Sequence, residues 1–403
     1  MKTLSLVIGL ACSLHGQTRW ISTWGDAPAP QGDATPKFND QTLREIVHIS
    51  LGGDSIRLRL SNQYATADAD IASVHVALRS ADSSIVAGSD RAVTFSGRPA
   101  VRIPQNALVL SDPVELKVPS ASDLAVSLYI AGPAGAAGVH GIASQTSFIA
   151  KGNMTGAASL PDATKGASWA FLTGVDVAAP ATAGTIVAFG DSITDGARST
   201  PDTNHRWPDI LAARLLARKS GPQFSVINMG IGGNRVLNDG AVGKAPRSGV
   251  SALARFDVDV LAKSGVKYLV VLEGINDIGH IGPNALPQEN VTAEDIIAGH
   301  KQMIARAHEA GIKVIGATVT PFEGQAQSSR GYYTPDKEKI RAAINDFIRN
   351  GHAYDGVVDF DKAVRDPGNP NVMLKAYDSG DSLHPNDAGY KAMGEAFDLS
   401  LFR

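Results

Sequence analysis

The hydrophobic pattern of the chain changes near residue 180, and this change limits the folds that the chain can adopt. From about residue 40 to 150, apolar residues often recur at every second position, as in Ile56, Leu58 and Leu60. A period of two is typical of strands with one buried face. After residue 184, short apolar runs alternate with amphipathic stretches, which favours parallel strands joined by helices. A β-rich domain followed by an α/β domain is therefore expected.

The domain boundaries follow from the same patterns, and 403 residues are more than one hydrophobic core usually holds. Turn-forming segments divide the region 18–177 into short strands, which predicts a β-sandwich of jelly-roll type. The small, proline-bearing residues 178–184 predict a linker. The region 185–403 is expected to form a three-layer α/β/α domain with a parallel sheet. The clearest predicted helices there are 207–219, 293–310 and 336–349.

The first 17 residues have the pattern of a signal peptide, with Lys2 followed by a short apolar run. This run is shorter than the roughly 20 residues of a membrane span, although a buried strand or helix is an alternative. The chain's one cysteine, Cys12, lies within this segment, so no disulfide or thiol chemistry is expected in the mature protein. Residues 8–12 also loosely resemble a lipoprotein processing box, which leaves a lipid anchor open. A secreted or periplasmic protein is expected.

The charge of the chain is balanced, with 37 Lys and Arg residues against 40 Asp and Glu residues. No polybasic block is present, so neither a nucleic acid nor an anionic membrane is an expected partner. No His-Glu-x-x-His motif or other metal-ligand spacing is found, so we expect no metal and no organic cofactor. The oligomeric state cannot be predicted from these features.

The tripeptide Gly-Asp-Ser occurs three times, at 53–55, 190–192 and 380–382. The first copy opens a period-two strand, where a hairpin turn is expected. The third shares its aspartate with a histidine motif. The second follows a buried-type strand and precedes a predicted helix, at the edge where open α/β sheets bind ligands. Ser192 is therefore the candidate nucleophile.

Two further strands end in candidate donors for an oxyanion. Residues 228–235 resemble a dinucleotide fingerprint, but Arg235 stands where a glycine is required. The glycines of this segment, Gly230, Gly232 and Gly233, are better interpreted as bringing backbone N–H groups close to a substrate. A plain tight turn is the alternative. Asn276 follows the next strand and offers an amide donor.

The motif Asp-x-x-His supplies the candidate base and occurs at 202–205, 277–280 and 381–384. The first copy lies within the loop of the nucleophile, and the second lies on the loop of Asn276. Only the third occupies a separate loop near the end of the chain. His384 is therefore the candidate base and Asp381 the acid that orients it.

These four loops, in this order, resemble the SGNH or GDSL hydrolase superfamily. The resemblance implies that Ser192 is the nucleophile and His384 its base, with Asp381 completing a catalytic triad. It also implies an oxyanion hole formed by the N–H groups of Ser192 and Gly233 and by the side chain of Asn276. Residues 20–24, 61–64 and 93–99 resemble an exported bacterial subgroup described as arylesterases or acylhydrolases, some linked to xylan breakdown.

The expected function is that of a serine esterase that removes short acyl groups, chiefly acetyl, from plant polysaccharides or their oligosaccharides. A lipase or a broad-specificity arylesterase is the alternative, because the sequence does not reveal the depth of the acyl pocket. A non-catalytic glycan-binding protein is an alternative of another class. The aromatic side chains Phe322, Tyr332 and Tyr333 are interpreted as either a sugar platform or packing residues.

Overall fold

The structure, a computed structural model, describes residues 18–240, 248–325 and 331–403. The predicted signal peptide at 1–17 and Cys12 lie outside the described residues. Strands β1–β24 and helices α1–α8 are numbered in chain order within them.

The first part of the described chain is β-rich, as predicted. Its strands are β1 (Thr18–Gly25), β2 (Ala29–Pro30), β3 (Lys37–Phe38), β4 (Gln41–Ile49), β5 (Gly53–Ser61), β6 (Ala69–Ile71), β7 (Ser73–Ala81), β8 (Ser84–Ile85), β9 (Arg91–Ala92), β10 (Val101–Ile103), β11 (Leu108–Leu110), β12 (Val114–Val118), β13 (Ser122–Ile130), β14 (Ala134–Gly135), β15 (Gly138–His140), β16 (Ser147–Lys151), β17 (Thr164–Gly166), β18 (Trp169–Ala170) and β19 (Leu172–Pro180).

The two largest sheets of this region are antiparallel. One has the order β1-β19-β5-β11, with β12 also paired to β5, and the other has the order β17-β16-β4-β13-β7-β8, with β9 paired to β7. Alternate side chains of both sheets, such as Leu58 of β5 and Val126 of β13, lie in one hydrophobic core. This shared burial explains the period-two pattern, since one face of each strand points into this core.

The connection to the second region is shorter than the predicted linker at 178–184. Strand β19 continues to Pro180, where Ala178 pairs with Trp20 of β1, and the next strand begins at Gly184. Residues 181–183 alone join the two strands, and Ala183 is buried. The small residues of this segment fit a strand because β1, from the other end of the β-rich region, pairs with them.

The second region is the predicted α/β unit with a five-stranded parallel sheet of order β21-β20-β22-β23-β24. Its elements are β20 (Gly184–Gly190), α1 (Ser192–Asp195), α2 (Trp207–Leu216), β21 (Phe224–Gly230), α3 (Ala252–Phe256), β22 (Val266–Leu272), α4 (Ile275–His280), α5 (Ala293–Glu309), β23 (Lys313–Ala317), α6 (Pro335–Asn350), β24 (Gly356–Val358), α7 (Phe360–Val364) and α8 (Asp387–Glu395).

Both faces of the parallel sheet are covered. Ile186 and Val187 are neighbours in β20, and each is fully buried, but they belong to different hydrophobic cores. A sheet packed on two sides requires apolar residues at successive positions, as the sequence of β20 shows. The carboxyl ends of β20, β21 and β22 meet at one edge, so the loops that follow these strands are brought together. Among the described helices, none has the length and apolarity of a membrane span.

Candidate active site

Ser192 begins helix α1 directly after strand β20. The side chain of Asp191 caps this helix by accepting a hydrogen bond of 2.8 Å from the N–H of Ile193. The preceding Gly190 has no room for a side chain, because a Cβ atom would lie 2.5 Å from the carbonyl oxygen of Leu272. This tight strand-to-helix turn puts the Ser192 hydroxyl at the edge of the sheet.

Ser192, His384 and Asp381 form one chain of hydrogen bonds. The Oγ of Ser192 lies 2.8 Å from Nε2 of His384. On the other side of the ring, Nδ1 of His384 lies 2.8 Å from Oδ2 of Asp381. The second carboxylate oxygen accepts the backbone N–H groups of Leu383 at 3.0 Å and of His384 at 2.8 Å. The short turn of Asp-x-x-His thus holds acid and base together.

The electrostatics of Asp381 decide which ring nitrogen carries the proton. Partial burial raises the pKa of Asp381, but hydrogen bonds from the side chain and backbone of His384 outweigh it and hold this pKa well below its usual range. The carboxylate is therefore ionised and accepts the proton on Nδ1. In the neutral imidazole, Nε2 is then the acceptor for the Ser192 hydroxyl, as a general base must be.

The loop after β21 offers backbone donors close to Ser192. Gly233 has a φ of +78°, and a Cβ atom there would lie 2.5 Å from the Ser248 hydroxyl, so glycine is required. The neighbouring Gly232 donates its N–H to Oδ2 of Asp195 in α1 at 3.1 Å. Across the described ranges, no acceptor is found for the N–H of Ser192 or of Gly233. Both groups are available to a substrate oxygen.

Asn276 lies in the first turn of α4 and contacts the same loop. Its Nδ2 donates to the carbonyl oxygen of Asn234 at 2.9 Å, which uses one of the two amide hydrogens. Its Oδ1 accepts a hydrogen bond of 2.7 Å from the Tyr332 hydroxyl. Because the two ends of the amide have different partners, the orientation of the amide is fixed.

Among the side chains that contact Asn276, Tyr332 has the least specific signal in the sequence. It lies among the three aromatic residues interpreted as a sugar platform or as packing. Phe322 and Tyr333 are buried in a hydrophobic core, so packing is correct for these two. No local pattern predicts the contact of Tyr332 with Asn276, because 56 residues separate them.

The two other Asp-x-x-His motifs do not form acid–base pairs. Asp202 accepts hydrogen bonds from the β-rich region, and His205 lies 3.0 Å from Asp387 instead. Asp277 accepts two backbone N–H groups of the loop after β21, at 2.8 and 3.1 Å. Its partner in the motif, His280, places Nδ1 2.7 Å from the carbonyl oxygen of Asn276. Of the three motifs, only Asp381 and His384 pair with each other within the motif.

A buried arginine, which sequence reasoning missed, joins the strand ends beneath the site. Arg255 lies in the short helix α3. Its guanidinium carbon lies 3.9 Å from the centroid of the Phe189 ring. Its guanidinium donates to Gly190 O at 2.9 Å, Met229 O at 2.7 Å, Asn234 Oδ1 at 2.9 Å, Asp259 Oδ2 at 3.0 Å and Glu273 Oε1 at 3.5 Å. These bonds fix the ends of β20 and β21 and the loop that carries Gly233.

Carboxylates buried around this edge of the sheet have altered acidity. Burial raises the pKa of Asp277 to about 6, although two backbone N–H groups partly oppose the shift. Burial, followed by repulsion from Asp191, also raises the pKa of Glu273 well above its usual range.

In the part of the chain that the structure describes, no group of three or more His, Cys, Asp or Glu side chains has the arrangement of a metal site.

A serine bonded to an aspartate-paired histidine, at the carboxyl edge of a parallel sheet, defines the arrangement of a serine hydrolase. The sequence profile of the GDSL-like lipase/acylhydrolase family matches residues 188–392. The chain belongs to this family and is a carboxylic ester hydrolase.

Solved structures of other proteins match about half of the chain. An acetylxylan esterase from Geobacillus stearothermophilus is 21% identical, with a TM-score of 0.39, over 54% of this chain and 93% of its own. A GDSL-like lipase from Bacteroides thetaiotaomicron is 18% identical, with a TM-score of 0.38, over 54% of this chain and 87% of its own. No curated protein sequence matches the chain.

Proposed function

We propose that the chain hydrolyses carboxylic esters through an acyl-enzyme formed on Ser192. The observation that carries this function is the continuous path of two 2.8 Å hydrogen bonds from Ser192 through His384 to Asp381. His384 takes the hydroxyl proton as Ser192 attacks the ester carbonyl, and then gives that proton to the leaving alcohol. Water repeats the two steps and releases the acid.

The tetrahedral intermediates carry a negative oxygen that needs hydrogen-bond donors. We assign this role to the N–H groups of Ser192 and Gly233 and to the remaining amide hydrogen of Asn276. Removing one such donor typically lowers the rate by roughly 10²- to 10³-fold. Asp381 holds the imidazole in the required tautomer and stabilises its cation.

We propose short acyl esters, chiefly acetyl, of plant polysaccharides or oligosaccharides as substrates. A cavity of about 640 Å³ is lined by His280 and Tyr332, and each of these two residues forms a hydrogen bond with Asn276. Its wall also carries the polar side chains of Asn284 and Glu289, which are suited to the hydroxyl groups of a sugar. A comparison of acetyl, butyryl and octanoyl esters with acetylated xylan tests this substrate class. Preference for octanoyl, with no acetate released from xylan, would instead indicate a lipase.

We further propose that the protein is exported by a signal peptide at residues 1–17 and that residues 18–177 form a jelly-roll-like β-sandwich. The core that the two antiparallel sheets share supports the sandwich. Mass measurement of the mature protein tests the export, because cleavage would remove Cys12 and lipidation would retain it with added mass.

Replacing the nucleophile tests the enzymatic mechanism directly. Ser192→Ala should abolish turnover of p-nitrophenyl acetate, because the proposed acyl-enzyme forms on the Ser192 hydroxyl. Ser55→Ala is the matched control, since Ser55 stands in the same tripeptide, where its hydroxyl donates to Val114 O at 3.2 Å. Retained turnover in the Ser192 variant would overturn the mechanism, whereas absence of ester turnover in the wild type would favour the glycan-binding alternative.

A further inference from the structure

The β-rich region reaches the catalytic edge through a buried pair of charged side chains. We infer that His140, at the end of β15, is a positioning residue for the oxyanion hole and acts through Asp195. This inference rests on the proposed function of Ser192 and Gly233, and it gives the β-rich region a part in the rate of the reaction.

A single carboxylate links the nucleophile helix to the oxyanion loop. Nε2 of His140 lies 2.9 Å from Oδ1 of Asp195. The other oxygen, Oδ2, accepts the N–H of Gly232 at 3.1 Å. Asp195 ends the helix that Ser192 begins, and Gly232 directly precedes Gly233. The position of Asp195 therefore sets where the Gly233 N–H lies relative to the attacked carbonyl.

Close packing reinforces this link. A Cβ atom at Gly230 would lie 2.2 Å from the backbone nitrogen of Asp195, so the strand end and the helix are in direct contact. The side chain of Asn228 donates to the carbonyl oxygen of Thr194 at 2.7 Å. Strand β21 and helix α1 are therefore packed directly against each other, and the carboxylate of Asp195 is the polar connection to the loop after β21.

His140 is held from its other side by the first part of the chain. Its Nδ1 lies 3.1 Å from Ala27 O and 2.9 Å from Oδ1 of Asp26. The ring centroid of Trp169 lies 5.5 Å from that of His140. His140, Asp195 and Asp26 are 5%, 2% and 2% exposed. Two carboxylates therefore flank one imidazole in a region that water hardly reaches.

The charge of the imidazole stabilises this cluster. Burial lowers the pKa of His140, but the charges of Asp195 and Asp26 outweigh that effect and raise this pKa well above its usual range. Charge pairs in such surroundings interact strongly, and a buried charge that loses its partner is strongly destabilised. Removing the cation therefore leaves the Asp195 carboxylate without its buried partner and favours its displacement from Gly232.

A small displacement of the loop is enough to affect the rate. A misplacement of about 1 Å can lower a rate by roughly 10²-fold, because an oxyanion donor acts over a narrow range of distances. The donor acts on the transition state more than on the bound ester, so the loss falls on kcat and not on KM.

His140→Gln is the test, because the amide keeps a hydrogen-bonding group but cannot carry the charge. We expect kcat for p-nitrophenyl acetate to fall by about 10- to 100-fold with little change in KM. The inhibition constant of a boronic acid, which mimics the tetrahedral intermediate, should rise in parallel. His75→Gln is the matched control, since His75 also pairs with an aspartate, Asp90, at 2.9 Å, within the β-rich region. The control should retain its kcat.

Wild-type kcat in a folded His140→Gln variant would overturn the inference. If this variant does not fold, Asp195→Asn removes the same charge pair with almost no change in shape, and a wild-type kcat there would be equally decisive. The underlying mechanism is tested separately. Turnover in Ser192→Ala refutes the proposed function, whereas an inactive Ser192→Ala beside a fully active His140→Gln refutes the positioning role alone.

Discussion

The hydroxyl of Tyr332 offers a perturbation of one atom beside the proposed oxyanion hole. It donates to Oδ1 of Asn276 at 2.7 Å, and Tyr332→Phe removes only this oxygen. The ring should remain in place, because it packs so closely on Gly279 that a Cβ atom there would lie 2.1 Å from it. Asn276 is 6% exposed, so its Oδ1 would lose a hydrogen bond in a buried position.

The expected magnitude follows from this loss. A buried acceptor left without its partner costs about 1 to 3 kcal/mol, which the amide can relieve by turning its oxygen toward another donor. About 1.4 kcal/mol corresponds to a tenfold change in rate, and complete loss of a donor costs roughly 10²- to 10³-fold. We therefore expect kcat to fall by about 10- to 100-fold with KM nearly unchanged.

Steady-state hydrolysis of p-nitrophenyl acetate measures both constants. Tyr333→Phe is the matched control, because Tyr333 is the neighbouring tyrosine and packs its ring against Phe322 at 5.0 Å. A Tyr332→Phe variant with kcat within about twofold of the wild type would refute the role of the hydroxyl. An equal loss in Tyr333→Phe would show that the effect comes from packing.

Three further variants test the charges around the site. Asp381→Asn should lower kcat by roughly 10²- to 10⁴-fold, because the amide no longer fixes the tautomer of His384 or stabilises its cation; activity within about tenfold of the wild type would contradict this role. Burial raises the pKa of Asp277 to about 6, so the protonated form is favoured and the free energy of unfolding should fall as the pH rises from about 4 through 6. Asp277→Asn should remove this decline in urea unfolding, and an unchanged pH profile would refute the assignment. Arg255→Met should lower the free energy of unfolding by about 3 to 5 kcal/mol, because it leaves the buried Asp259 without its cation; a loss below about 1 kcal/mol in urea unfolding would contradict it.

The parts of the site that the sequence predicted are those with a local pattern. Ser192, Asn276 and His384 each stand in a short motif, and the first two follow apolar strands whose ends must meet in a parallel sheet. The long helices were predicted almost to their ends, since 293–310 and 336–349 correspond to Ala293–Glu309 and Pro335–Asn350. Amphipathic periodicity depends only on neighbouring residues, so the sequence displays it directly.

The remaining parts depend on contacts between distant segments. Strand β19 extends to Pro180 because β1 pairs with it across more than 150 residues, and no local pattern marks that pairing. His140 meets Asp195 from a separate sheet, and Arg255 lies in a short helix without a motif. His140 and Arg255 are polar residues that can be buried because another part of the chain supplies their hydrogen-bond partners.

Covalent labelling tests the central assignment most directly. A fluorophosphonate reacts with an activated serine and leaves a stable adduct, which peptide mass spectrometry can locate. We predict a single adduct on the peptide that contains Ser192, together with loss of esterase activity and no labelling of Ser192→Ala. An adduct on Ser55 or Ser382, or full activity after Ser192 is labelled, would contradict the assignment of Ser192 as the nucleophile.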